Sequence, residues 1–272
     1  MEPMLNVEID DRGVATVQID RPQVHNAFNA ELISELNSCF RQLAEQRVRV
    51  MILTGTGASF SAGADLNWMR GMAQASENDN RADAARLASL LRRLDEMPCP
   101  TIARINGPAF GGGVGLIACC DISIAVNEAR MGLTEVRLGL APATIAPFVI
   151  GRIGIGAARR YMLTGERFDS SLACRLGLVS EVVAAETLDE RVAEVVKMLL
   201  AGGPRALDQC KRLIRMVRES AHERERLDDR TADLIAALRV SKEGQEGLNA
   251  FLEKRKPSWI QRKTGSGKRE EG

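Results

Sequence analysis

The stretch GGGVGLIACCD, residues 111–121, decides how this chain is read. From Val114 onward it has the unbroken apolarity of a buried helix, yet it opens on Gly111, Gly112 and Gly113 and carries Gly115 inside. Each glycine in a helix interior is less favourable than alanine by about 1 kcal/mol. Something at this spot must offset that instability. A helix that starts on glycines presents bare N–H groups at the positive end of its dipole, where an oxygen carrying negative charge can come close.

A second stretch has the same character. FSAGADL, residues 60–66, also consists of small residues between a strand end and a helix start. If the two loops faced one another, two main-chain N–H groups would meet a single oxygen, which is an oxyanion hole. Two other readings stand beside this one. The glycines could simply permit close helix–strand packing. They could also cradle a phosphate, although neither GxxxxGK[ST] nor GxGxxG after the first strand is present.

Working outward, Leu5–Ile9 and Val14–Ile19 alternate as two strands around an Asp11-Arg12-Gly13 turn. Asn29 is a helix cap, followed by Leu32, Ile33, Leu36, Phe40 and Leu43 at helical spacing. Residues 48–53, 101–105 and 122–126 read as strands, and 85–94 as a helix ended by Pro98 and Pro100. Residues 72–84 are polar and poorly patterned and read as a mobile loop over a helix start. The alternation of strand and helix indicates an α/β core with right-handed crossovers. Helices are expected over 145–153, 157–163, 171–176 and 188–200. Gly202-Gly203-Pro204 is the expected boundary, giving a core over 1–203 and a helical region over 204–272 with a frayed tail. Leu207, Leu213, Ile214, Val217, Leu227, Leu234, Ile235, Leu238, Leu248, Phe251 and Leu252 pattern that region. It is too small to build its own core and must pack on the first region or on another chain.

The composition excludes several functions. Lys and Arg total 37 against 36 Asp and Glu, so no charge excess favours nucleic acid or a membrane surface. No apolar run reaches the length of a membrane span. The six cysteines form no CxxC pair and several lie in apolar runs, so they read as core residues rather than disulfides or zinc ligands. MEPMLNVEIDDRG lacks an apolar leader, and the expected location is the cytoplasm. With only His25 and His222 in the chain, a histidine triad or metal site is not expected.

Taken in order, FSAGADL and NGPAFGGGVGLIACCDISIA resemble the crotonase family of enoyl-CoA hydratases and isomerases. The likeness runs from RPQVHNAF through LTGERFD to EGLNAFLEKRKP. It implies a crotonase-like spiral core of ββα units, a C-terminal helical trimerisation region, and a homotrimer or dimer of trimers. It implies that Ala64 and Gly112 supply the oxyanion amides to a thioester carbonyl. Coenzyme A would then be part of the substrate and not a separate cofactor. It would be held by Ala62, Asp65 and Leu66, with Phe251 and Lys254 matching further positions that touch it.

The usual hydratase has two glutamates. Here Gly115 stands at the first position and Glu135, in MGLTEVRLGL, matches the second. Glu135 is the expected general acid and base, because its apolar neighbours would raise its pKa. Asp121 reads as a structural capping or pairing group. FSAGADLNWM, GGGVGLIACCD and LTEVRLGLAPATIAPFV together are similar to methylglutaconyl-CoA and isohexenylglutaconyl-CoA hydratases of leucine and acyclic terpene breakdown. A second carboxylate on such a substrate needs donors, and Asn67, Arg70 and Arg137 are the candidates. Trp68, Met69 and Phe148 are candidate walls of the acyl pocket. A Δ3,Δ2-enoyl-CoA isomerase, which needs one carboxylate, and a non-catalytic RNA-binding scaffold of this fold are the rival expectations.

Overall fold

The computed structural model describes residues 3–219, 233, 235, 237–239 and 241–260. His222, Leu227, Leu234 and the expected frayed tail lie outside the described residues.

The chain opens with β1 (Leu5–Ile9) and β2 (Val14–Ile19), paired antiparallel as their alternation predicts. Helix α1 (Ala30–Glu45) follows, its first turn closed by Asn29, whose side chain accepts from Leu32 N at 2.9 Å. The five apolar residues at helical spacing are all buried, each contributing about 1.5–3 kcal/mol. Strand β3 (Val50–Gly55) begins two residues later than its apolar run suggests. Next come α2 (Leu66–Gln74), α3 (Glu77–Asp95), β4 (Thr101–Ile105), β5 (Ala109–Phe110) and α4 (Gly112–Cys119). After them stand β6 (Ile122–Val126), β7 (Arg130–Gly132), a 3-10 turn (Glu135–Leu138) and α5 (Ala146–Thr164). The series continues with β8 (Arg167–Asp169), α6 (Ser170–Arg175), β9 (Glu181–Val183), α7 (Leu188–Ala201), α8 (Pro204–Glu219) and α9 (Lys242–Leu252).

One sheet has the order β1-β2-β3-β4-β6-β9, parallel from β2 onward. Its inner strands are buried on both faces, as parallel strands covered by helices must be. A smaller sheet, β5-β7-β8, lies apart from it. The chain therefore repeats a strand of the large sheet, a short strand of the small one and a helix: β4-β5-α4, then β6-β7-α5. A one-residue bridge between Ser61 and Ala109 makes the segment after β3 an abbreviated turn of the same spiral. This is the expected spiral of ββα units.

Residues 72–84, expected as a mobile loop over a helix start, are mostly helical, the break between α2 and α3 being short. Ser76 caps α3 by accepting from Asp79 N at 3.2 Å, and Asn80 Nδ2 donates to Met72 O at 2.9 Å, clamping α2 to α3. These turns lack apolar periodicity because they are solvent-exposed. The two helices expected over 145–163 are the halves of α5, broken at Gly154, which takes φ 72 and ψ 164.

The region after Pro204 docks on the core. Lys211 Nζ reaches Cys99 O at 3.0 Å and Asp121 Oδ2 at 2.7 Å. Arg215 donates to Asp95 O at 3.1 Å, and Trp259 Nε1 to Ala201 O at 3.1 Å. Asp121 has the structural role its position suggests, since the same Oδ2 accepts from Thr101 N at 2.7 Å. All six cysteines are free; Cys99, Cys119 and Cys120 are buried, and burial pushes the Cys120 thiol up to about 12. Among the described residues no helix is long and apolar enough to cross a membrane, and no His, Cys, Asp and Glu cluster could hold a metal ion.

Candidate active site

The first small-residue loop is held by the turn that precedes α1. Asn26 is fully buried with φ 57, and its Nδ2 donates to Thr56 O at 2.9 Å and Ser59 O at 2.8 Å. Ser61 Oγ donates to Asn26 O at 2.9 Å, Ala62 N to His25 O at 2.9 Å, and His25 Nδ1 meets Ser59 Oγ at 3.0 Å. His25 is thus a bracing residue of the loop. Asp65 caps α2 by accepting from Asn67 N at 2.8 Å and pairs with Arg21 Nη2 at 3.0 Å. Burial works against its charge, but the Asn67 and Trp68 amides and the Arg21 guanidinium prevail and hold its pKa below the usual range.

Ala64 forms a one-residue parallel bridge with Phe28. The bonds of that bridge run from Phe28 N to Gly63 O at 2.6 Å and from Asp65 N to Phe28 O at 2.8 Å. They use the neighbours' groups, so the N–H of Ala64 itself faces the other side. Gly111 N donates to Gly132 O at 3.0 Å, and Gly111 takes φ 49, so α4 starts at Gly112. The first amides of a helix have no intrahelical acceptor. Neither the Ala64 nor the Gly112 amide is engaged among the described residues.

The two loops are in contact. Phe60 N donates to Pro108 O at 3.0 Å and Phe110 N to Ser61 O at 2.9 Å. A Cβ on Gly63 would lie 2.8 Å from Phe110 O, and one on Gly113 would lie 2.6 Å from Ser61 O. These glycines are where they are because backbone passes backbone at those points.

Glu135 joins them through the small sheet. β5 and β7 pair in parallel, so the strand that leads to Glu135 runs beside the strand that leads to Gly111. A Cβ on Gly111 would stand 3.1 Å from Glu135 Oε1. Glu135 Oε2 is buried and has no hydrogen-bond partner. Burial pushes the Glu135 pKa up, and its own backbone N–H offsets this only in part. Gly115 lies one helical turn beyond Gly111. A Cβ there would meet Ile145 Cγ2 at 2.4 Å and Leu91 Cδ2 at 3.5 Å, so apolar side chains fill the space a larger residue would need.

The other candidates are spread more widely. Ala62 and Leu66 are exposed at the rim of the first loop, Leu66 at 72%. Asn67 and Arg70 are exposed on α2 and bond to each other at 3.0 Å. Trp68 and Met69 are half-buried; Trp68 packs against the core, with its Nε1 buried and unpartnered. A cavity of about 330 Å³ beside it is lined by Asn29, Asp65 and Asn67 as well. Phe148 is half-buried against the core. Arg137 is exposed and lies along Gly165, the C-cap of α5. Phe251 and Lys254 are exposed at the end of α9, and neither bonds to the two loops. Asn26, Arg21 and Ile145 escaped the sequence reading. For Asn26 the available signal was an asparagine, a residue type that tolerates positive φ, directly before the apolar Ala27-Phe28.

The family model for enoyl-CoA hydratase/isomerase matches residues 10–262. Crotonyl-CoA hydratase of Syntrophomonas wolfei is 32% identical over 258 residues, covering 92% of this chain and 95% of its own length. The 2,3-dehydroadipyl-CoA hydratase of Escherichia coli is 32% identical over 249 residues, covering 90% and 94%. Among solved structures, an enoyl-CoA hydratase from Shewanella pealeana superposes with a TM-score of 0.91 at 42% identity, covering 94% of this chain and 96% of its own. Pseudomonas aeruginosa AtuE superposes with a TM-score of 0.91 at 37% identity, covering 95% and 100%. With the fold, the near end-to-end match and the paired small-residue loops in agreement, this chain belongs to the enoyl-CoA hydratase/isomerase family.

Proposed function

We propose that the protein adds water to a 3-branched 2,3-unsaturated acyl-CoA, with a 3-substituted glutaconyl-CoA such as methylglutaconyl-CoA or isohexenylglutaconyl-CoA as the preferred substrate. Family membership makes the protein a hydro-lyase of the enoyl-CoA hydratase type acting on an acyl-CoA. The observation that carries the chemistry is the Glu135 carboxylate, whose Oε2 is buried and unpartnered and whose Oε1 lies beside Gly111.

In this reading the Ala64 and Gly112 amides receive the thioester oxygen. Glu135 takes a proton from water as the water oxygen bonds to C3, and the electrons of the double bond move onto the thioester oxygen as an enolate. The enolate then collapses, and C2 takes the proton back from Glu135. One carboxyl group suffices because the same proton is removed and returned. A raised pKa suits that task, since the group must hold the proton between the two steps. Loss of one oxyanion donor costs about 3–4 kcal/mol in such sites. Ala62 and Leu66 hold coenzyme A at the rim, while Asp65, expected to join them, is buried with its carboxylate on Arg21 and the α2 amides and holds their loop in place. Phe251 and Lys254 contribute through a trimer, with residues 204–272 as the association region. Asn67, Arg70, Arg137 and the Trp68 indole N–H are the donors available for a second substrate carboxylate. Trp68, Met69 and Phe148 wall the acyl group.

Ile145 over Gly115 favours one second reading, a Δ3,Δ2-enoyl-CoA isomerase, because it leaves a single carboxylate. Purified protein incubated with 2-enoyl and 3-enoyl thioesters distinguishes them: hydration bleaches the conjugated enoyl absorbance and isomerisation creates it. A panel of methyl- and isohexenyl-branched glutaconyl thioesters then tests the substrate. Preference for unbranched crotonyl-CoA over all of them overturns the glutaconyl assignment.

A further inference from the structure

The amide of Gly112 is one end of a very short rod. Helix α4 has 8 residues, three of them Gly112, Gly113 and Gly115, and spans about 12 Å at 1.5 Å per residue. Its remaining side chains are apolar and buried. Close approach at Gly113 and Gly115 confines the helix, but apolar contacts are non-directional, and directional bonds add the finer control of its position along its own axis and its rotation about it.

At the N-terminal end the bonds come from the loop, through Gly111 N to Gly132 O at 3.0 Å. At the other end they converge on one guanidinium. Arg152 of α5 donates from Nε to Ala118 O at 3.0 Å, and from Nη2 to Cys120 O and to Asp121 O at 3.3 Å. Three carbonyls at and just past the last turn of α4 are thus held by a rigid planar cation, at the end of the helix where a positive charge is favoured. The side chain of Asp121 is itself tied to Thr101 and Lys211, so the carbonyls Arg152 grips are anchored to β4 and α8 as well.

We infer that Arg152 is a positioning residue for the oxyanion amide of Gly112: by fixing the C-terminal end of α4 it sets where the N-terminal N–H points. Because α4 is only two turns long and hydrogen-bonded along its length, an axial shift at Ala118 is carried toward Gly112. The inference rests on the reading of Gly112 as an oxyanion donor.

The test compares wild type with Arg152→Met, which keeps much of the stem and removes the charge, and with Arg152→Lys. Arg191→Met on α7, which breaks ion pairs with Glu181 and Glu194, serves as a stability control. Two readouts are taken well below each melting temperature: steady-state hydration of a 2-enoyl-CoA, and the absorption red shift of bound 4-(dimethylamino)cinnamoyl-CoA, which reports hydrogen bonding to the thioester oxygen. Arg152→Met is expected to lower kcat at least about tenfold, short of the 10²–10³ seen when an oxyanion donor is removed outright. KM should be little changed and the red shift reduced. Arg152→Lys should fall between it and wild type, and Arg191→Met should keep both wild-type values. Wild-type kcat and red shift in folded Arg152→Met overturn the inference. If that variant does not fold, Arg152→Lys decides: a smaller shift supports the inference and an unchanged one overturns it. Wild type that neither hydrates nor shifts the probe refutes the oxyanion reading itself, and the role of Arg152 falls with it.

Discussion

Glu135 is half-buried, unpartnered at one oxygen and harder to ionise than a free glutamate. Replacing it with glutamine should abolish turnover while leaving acyl-CoA binding intact, as read by calorimetry. Stability should change in the opposite sense. A carboxyl whose folded pKa exceeds its unfolded value of about 4.3 carries no penalty in acid and acquires one as pH rises through the folded value. Glu135→Gln should therefore melt higher than wild type at neutral pH, with the difference vanishing at low pH. In wild type, the acidic limb of the kcat/KM profile should lie above the ordinary glutamate range. Gly111→Ala should destabilise by about 1–3 kcal/mol, because φ 49 with ψ −116 is a conformation L residues scarcely adopt, and should lose activity, since the new methyl would press on Glu135 Oε1. Gly115→Glu should not add a second working carboxylate, because Ile145 fills the space; denaturant melts of Gly115→Glu with and without Ile145→Gly should show relief in the pair. At this scale the pairing role of Asp121 was legible, and so was the raised pKa of Glu135, although Leu138 and Leu140, two of the apolar neighbours in MGLTEVRLGL that suggested it, are exposed and the burial comes from the fold instead. Asn26 was not: its partners Thr56 and Ser59 lie 30 and 33 residues away, and only the closed fold brings them together.

Among the elements, legibility followed amphipathic spacing. Helix α1 announces itself through its Asn29 cap and its five buried apolar residues. The start of α3 has exposed, polar first turns and is secured by Ser76 and Asn80, a local polar arrangement that hydrophobic periodicity does not register. The small sheet was equally hidden. Strands β5, β7 and β8 have two or three residues each, too few to show alternation, and exist because the spiral turns at those points. The cap of α2 offers a test at this scale. Asp65→Ala removes two amide bonds and leaves Arg21 without its carboxylate. A loss of about 1–2 kcal/mol is expected at neutral pH by chemical denaturation. Because the folded Asp65 pKa is depressed, wild type holds that contribution above the unfolded value and loses it as pH falls through the folded one, so the two proteins should converge in acid.

The whole molecule leaves apolar side chains uncovered on its C-terminal helices: Ile214 on α8, and Leu248, Phe251 and Leu252 on α9, with Phe251 at 81% exposure. A surface of this kind is expected to be covered by another copy of the chain. Sedimentation should give a species of three chains or a multiple of three, and Phe251→Asp should shift it toward monomer while raising KM for the acyl-CoA. Lys211, whose ammonium is bound to Asp121 and Cys99 O, shows how firmly the same helices are joined to the core.

Cys119 and Cys120 close the helix that Gly112 opens, and both thiols are buried with their ionisation strongly suppressed. An alkylating reagent therefore finds Cys210 at the surface at once, but reaches this pair only in molecules whose core has come apart there. Mass spectrometry of the arriving adducts would read, without any introduced label, how often the C-terminal end of α4 gives way, and whether added acyl-CoA slows it.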